Sequence, residues 1–182
     1  MTQPQASDLL RMEALDILDD LDLLARLGRF GRAELVGSVA LDLVVKRDID
    51  VHVLQREPGL FAVSDAVCRE LLDHPRVREV RITDYRVQSS LKLAVDAYPG
   101  PSGAWSIDIW LTEREEETAF ADRDALLAAL TPEHRAAILA IKRHYDARDL
   151  LRDGLSTRIY RAVVHGGVRT VEEFAGLPTD LS

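Results

Sequence analysis

Two aspartates separated by one hydrophobe, Asp48-Ile49-Asp50, run directly into Val51-His52-Val53. In an extended strand successive side chains point to opposite faces. Asp48 and Asp50 therefore share a face, with Cα atoms roughly 6.5 Å apart, and Ile49, Val51 and Val53 take the other. Acidic residues are depleted in strands, and two on one face repel each other. A cation between them removes the conflict. A hard divalent ion such as Mg2+, which takes carboxylate oxygens, answers that need.

Upstream stands Gly37-Ser38, after a short apolar strand around Leu35-Val36 and before the mostly apolar stretch Val39 to Val45. Glycine lets a backbone approach a ligand closely. A serine beside a helix N-terminus offers a hydroxyl next to N–H groups that accept an anion. Taken singly, Gly-Ser reads as a cap and the aspartates as a strand end. Together, a phosphate cradle and a carboxylate pair suggest a metal–triphosphate site.

Gly37-Ser38, nine residues, then Asp48-Ile49-Asp50-Val51 resembles the signature of the nucleotidyltransferase superfamily that includes DNA polymerase β, and within it the small bacterial antibiotic and minimal nucleotidyltransferases. The resemblance covers roughly Ala33 to Leu111. It implies a third acid on a later strand, which Trp105-Ser106-Ile107-Asp108-Ile109-Trp110-Leu111 supplies as Asp108. An aspartate inside an apolar strand is costly unless partnered. Two positions depart from the pattern: Asp42, where many relatives have a small residue, often Gly, and Arg47, where many have Ser.

The resemblance implies a mixed α/β (α+β) fold with an approximately five-stranded nucleotidyltransferase-like sheet flanked by helices and followed by a C-terminal helical module. The divide is expected near Thr112, giving a core over 1–111 and a module over 112–182 packed on it. Helical spacing of Leu10, Ala14, Ile17, Leu21 and Leu24 predicts one long helix from Ser7 or Asp8 to about Leu27. A turn is expected at Glu57-Pro58-Gly59 and a helix over 60–72. Strands are expected over 77–87, 91–96 and 104–111. Thr131-Pro132-Glu133 makes a good helix start, with that helix running to about Leu151.

The net charge of −8 argues against extended electrostatic binding of nucleic acid. It permits a nucleotide delivered as its magnesium complex. The lone Cys68 excludes an internal disulfide and a cysteine-rich zinc site. No apolar run is long enough to span a bilayer, so a cytoplasmic protein without a membrane partner is expected.

The function implied is transfer of a nucleoside monophosphate from an NTP to a hydroxyl, releasing pyrophosphate. Asp48, Asp50 and Asp108 would be the catalytic acids and the Mg2+ ligands. Gly37 and Ser38 would cradle the phosphates. Lys142, on a helix where lysines of similar enzymes reach the triphosphate, would join them. The expected acceptor is a small molecule, such as an aminoglycoside-like antibiotic, with nucleic acid an improbable one. A protein acceptor, as in toxin–antitoxin pairs, and a non-catalytic nucleotide-binding module are the alternatives. A homodimer is plausible by resemblance alone. His52 reads as a neighbour of the acids, Glu113 to Glu117 as a solvated helix start with one candidate general base, and Arg76, Arg78, Arg81 and Arg86 as an exposed face. Trp105 and Trp110 read as core or rim.

Overall fold

A computed structural model describes residues 6–56 and 59–178. Residues 1–5 and most of the turn expected at Glu57-Pro58-Gly59 lie outside them. Five strands form one sheet: β1 Gly31–Val36, β2 Asp48–Gln55, β3 Arg81–Tyr85, β4 Ser90–Gly100 and β5 Gly103–Thr112. Their order is β1-β2-β5-β4-β3. Only β2 and β5 run parallel; the other three pairings are antiparallel. The expected mixed five-stranded sheet flanked by helices is therefore what the chain forms.

The period-two pattern read from the sequence appears directly in burial, which alternates along β2 between half-buried and buried. Ile49, Val51 and Val53 are buried together with Ile107, Ile109 and Leu111 of β5. Helices α1 (Ala6–Asp20), α2 (Leu23–Gly28) and α4 (Leu60–Leu72) add Ala14, Leu23 and Val67 to the same core. Desolvation of this apolar face, about 25 cal/mol per Å2 buried, holds the strands in register. The opposite face carries Asp48, Asp50, His52, Asp108 and Trp110.

The expected single N-terminal helix is two helices. Asp22 adopts a left-handed conformation between them, with φ 47°. On one continuous helix Leu21 and Leu23 would point about 200° apart, and both could not reach the core. The break lets both bury, at 1% and 0% exposure. Strand β3 is shorter than expected, because only 81–85 pair with β4. Helix α3 (Gly37–Ala40) is a single turn after β1.

The chain divides into two compact units, 1–123 and 124–182. The second holds α6 (Pro132–Asp146), α7 (Leu155–Val164) and α8 (Val171–Ala175); the division falls within α5 (Phe120–Ala129). Helix α6 begins as expected, with Pro132 in its first turn and the Thr131 hydroxyl accepting from the His134 N–H. It ends at Asp146, short of Leu151. Among the described residues no helix is long and apolar enough to cross a membrane.

Candidate active site

Parallel register sets the acids side by side. Asp50 of β2 stands opposite Asp108 of β5, and Asp48 stands opposite Ser106. One carboxylate oxygen from each of Asp48, Asp50 and Asp108 lies within 4.8 Å of the others, and all three side chains are half-buried. Three hard oxygen donors at this separation suit a divalent cation. Soft or nitrogen donors are absent from the cluster, so it fits Mg2+ in kind.

Gly37 closes the cluster from the β1 side. Its φ is +64°, and a Cβ there would stand 2.3 Å from Oδ2 of Asp50. Both the left-handed backbone and the missing side chain are therefore required. Ser38 follows as the second residue of α3. Asp42 also has positive φ, 58°, a region that glycine and Asp/Asn tolerate best. Its carboxylate is 3.5 Å from Arg11. Arg47 lies along the start of β5, donating from Nε to the Ala104 carbonyl at 3.3 Å.

The sequence reading missed Lys92. Its Nζ is 2.5 Å from Oδ2 of Asp108 and 5.6 Å from the centre of the Trp110 ring. Lys92 pairs across strands with Trp110, and Ala94 with Asp108. The sequence held a signal: Lys92 alternates with Leu91 and Leu93 and so leaves the apolar face. The register that sets it beside Asp108 is a tertiary fact. Trp110 contacts Tyr85 of β3, ring centres 4.8 Å apart.

His52 follows the acids on their face, as expected of a neighbour. Its Nδ1 accepts from the Ala119 N–H at 3.1 Å. Burial pushes its pKa down to about 4, so the ring is neutral near pH 7. Glu113 is a structural tie rather than part of a solvated helix start. It accepts from the Gly59 N–H at 2.8 Å and from Gln55 at 3.2 Å. Glu115–Glu117 form one 3-10 turn, and α5 starts only at Phe120. Arg76, Arg81 and Arg86 pair with Asp20, Asp96 and Asp84. Lys142 belongs to the second unit, where it is 2% exposed and donates to the Tyr160 hydroxyl at 2.9 Å.

No family model and no curated protein matches the sequence. Solved structures do. The Cid1 poly(U) polymerase bound to MgATP superposes with a TM-score of 0.61 at 19% identity, over 86% of this chain and 50% of that one. The polymerase core of TRAMP, an RNA surveillance complex, gives 0.56 at 17%, over 89% and 50%. A cytoplasmic RNA terminal U-transferase gives 0.56 at 21%, over 81% and 44%. The chain shares its fold with these polymerases. The chain spans about half the length of these neighbours or less.

These neighbours correct one expectation. Nucleic acid was expected to be an improbable partner because of the net charge of −8, yet one neighbour is an RNA terminal U-transferase and Cid1 is known in complex with its short product ApU. Net charge is a sum over the whole chain. It does not report the local field at three carboxylates that take a cation, nor at the few groups that meet one strand end.

Proposed function

We propose that this chain is a Mg2+-dependent nucleotidyltransferase that moves a nucleoside monophosphate from an NTP to a hydroxyl and releases pyrophosphate. The observation that carries the reading is the convergence of Asp48, Asp50 and Asp108 within 4.8 Å, with Gly37 packed against Asp50. Asp48 and Asp50 would hold the ion that binds the triphosphate. Asp108 would share the catalytic ion and lie beside the attacking oxygen. The metal, when bound, stabilises charge on the phosphoryl oxygens and on the attacking and leaving groups.

The protein's own share is position and charge, which carry most of phosphoryl transfer. Gly37 brings the β1–α3 backbone close to the phosphates, and Ser38 adds its hydroxyl there. The acids gather on one side of the sheet because β2 and β5 are in register, so no loop has to be ordered to assemble them. The names of the fold neighbours support the 3′-terminal hydroxyl of RNA as acceptor.

The test combines two measurements. A Mg2+-dependent rise in melting temperature with an NTP reports binding to the native state. Transfer of labelled nucleotide to RNA, an aminoglycoside or protein then reports the acceptor. Extension of RNA that Asp48→Asn and Asp50→Asn abolish is expected. Activity retained in both variants overturns the site. Transfer to an aminoglycoside or protein, with none to RNA, overturns the acceptor.

A further inference from the structure

In-line transfer requires the attacking and leaving oxygens to lie on opposite sides of the phosphorus. On the reading above, the phosphates lie toward β1, against Gly37 and Ser38. The acceptor must then come from the other side of Asp108, across β4 and β3, since the sheet order is β1-β2-β5-β4-β3. That part of the sheet carries an aromatic pair. Trp110 lies two residues beyond Asp108 on β5, on the same face. Tyr85 reaches it from β3 over the intervening strand, with ring centres 4.8 Å apart and planes inclined at 48°. Tyr85 is 36% exposed, and Trp110 is half-buried.

A large ring left partly exposed beside a phosphoryl-transfer site needs a reason. Packing alone does not supply it, because every residue of β3 is exposed and the apolar core lies on the other face. Lys92 sets a positive charge 5.6 Å from the Trp110 ring and against Asp108. Aromatic faces beside a cation are the elements that bind single-stranded nucleic acid, where each base offers a π-face and each link a phosphate. We propose that Tyr85 and Trp110 form the platform on which the 3′-terminal base of a single-stranded RNA acceptor stacks, with Lys92 facing its phosphate. This deepens the reading above and rests on it for the direction of approach.

The test is equilibrium binding of a short single-stranded RNA to the full chain without metal or NTP, read by anisotropy of a labelled oligonucleotide and by tryptophan fluorescence. Trp105 is fully buried, so quenching by RNA reports Trp110. Tyr85→Ala, at an exposed position, is expected to weaken RNA binding roughly 10- to 100-fold. Tyr85→Phe is expected to restore it, and wild-type quenching is expected to be lost in Trp110→Phe. Unchanged affinity in Tyr85→Ala, or no RNA binding by the wild type, overturns the platform. The Mg2+–NTP thermal shift separates the two claims. A shift with no effect of Tyr85→Ala removes the platform and leaves the transferase. Weakened RNA binding in Tyr85→Ala with no nucleotide shift removes the transferase and leaves the platform.

Discussion

Asp50 and Asp108 face each other in direct register across the parallel pair β2 and β5. Like charges opposite each other on neighbouring strands destabilise a sheet. The sheet keeps this arrangement with Lys92 against Asp108 and with no Cβ at position 37 to crowd Asp50. A fold selected for stability alone would place neutral residues at 50 and 108. The geometry suits a divalent cation.

Asp50→Asn should therefore separate stability from function. It removes one of two repelling charges and keeps the size of the side chain, so the metal-free melting temperature is expected to hold or rise. Asp108→Asn relieves the same repulsion but loses the charge that pairs with Lys92, and its metal-free melting temperature is expected to fall. Nucleotidyl transfer is expected to fall on the order of 10^3-fold or more, in line with the loss of preorganised electrostatic groups. Scanning calorimetry and a transfer assay on the same preparations check both. A variant that keeps wild-type activity would remove its carboxylate from the site.

Gly37→Ala tests the cradle. The new Cβ would stand 2.3 Å from the Asp50 carboxylate in a backbone of φ +64°. Left-handed backbone alone costs a non-glycine residue about 1–2 kcal/mol, and Asp50 must also move. A displacement near 1 Å of a group that positions reactants costs about 100-fold in rate. Gly37→Ala is expected to lower stability by about 1–2 kcal/mol, measured by urea unfolding, and activity by about two orders of magnitude. Wild-type behaviour in both would mean that the turn accommodates a side chain.

Lys92→Met asks what offsets Asp108. Hydrogen bonds to charged groups contribute about 1.5–3 kcal/mol, and both partners here are partly exposed, at 24% and 17%. A loss of about 1–2 kcal/mol is expected in metal-free protein. The sign should reverse for metal. With the competing ammonium gone, Mn2+ should bind more tightly and raise the melting temperature by more than in the wild type. Calorimetric titration with Mn2+ measures this. Weaker Mn2+ binding would mean that Lys92 organises Asp108 for the ion instead of competing with it.

Much of the site was legible because its signals are local. Alternation placed Asp48 and Asp50 on one face and marked Asp108 as an unsupported acid in an apolar strand. Thr131-Pro132 marked the start of α6. What was not legible depends on pairing across strands. Lys92 and Tyr85 gain meaning only when β4 and β3 are laid beside β5, and nothing within 81–92 fixes that register. The break at Asp22 was hidden because Leu21 and Leu24 fit one helical stripe, while the competing demand to bury Leu23 shows only against the sheet. The partner expectation failed for another reason: net charge averages over a surface, and an acceptor end meets only a few groups.

Glu13 supplies a prediction about pH. It is 8% exposed, and its Oε1 accepts from Trp105 Nε1 at 2.8 Å and from the Ser102 N–H at 3.0 Å. Burial alone would raise its pKa. The hydrogen bonds from Ser102 and Trp105, with the Arg47 charge, outweigh burial and hold the carboxyl below its ordinary 4.5. A carboxyl depressed in the folded state contributes stability that is fully present above the unfolded value and is lost as pH falls through the folded one. Glu13→Gln should therefore be about 1–2 kcal/mol less stable than wild type at pH 7, where a neutral amide replaces a charged acceptor. The gap should narrow below about pH 4.5, as the wild type loses stability that the variant never had. Urea unfolding at pH 7 and near pH 3 measures both gaps. A gap that stays constant would show that Glu13 holds Trp105 by shape and not by charge.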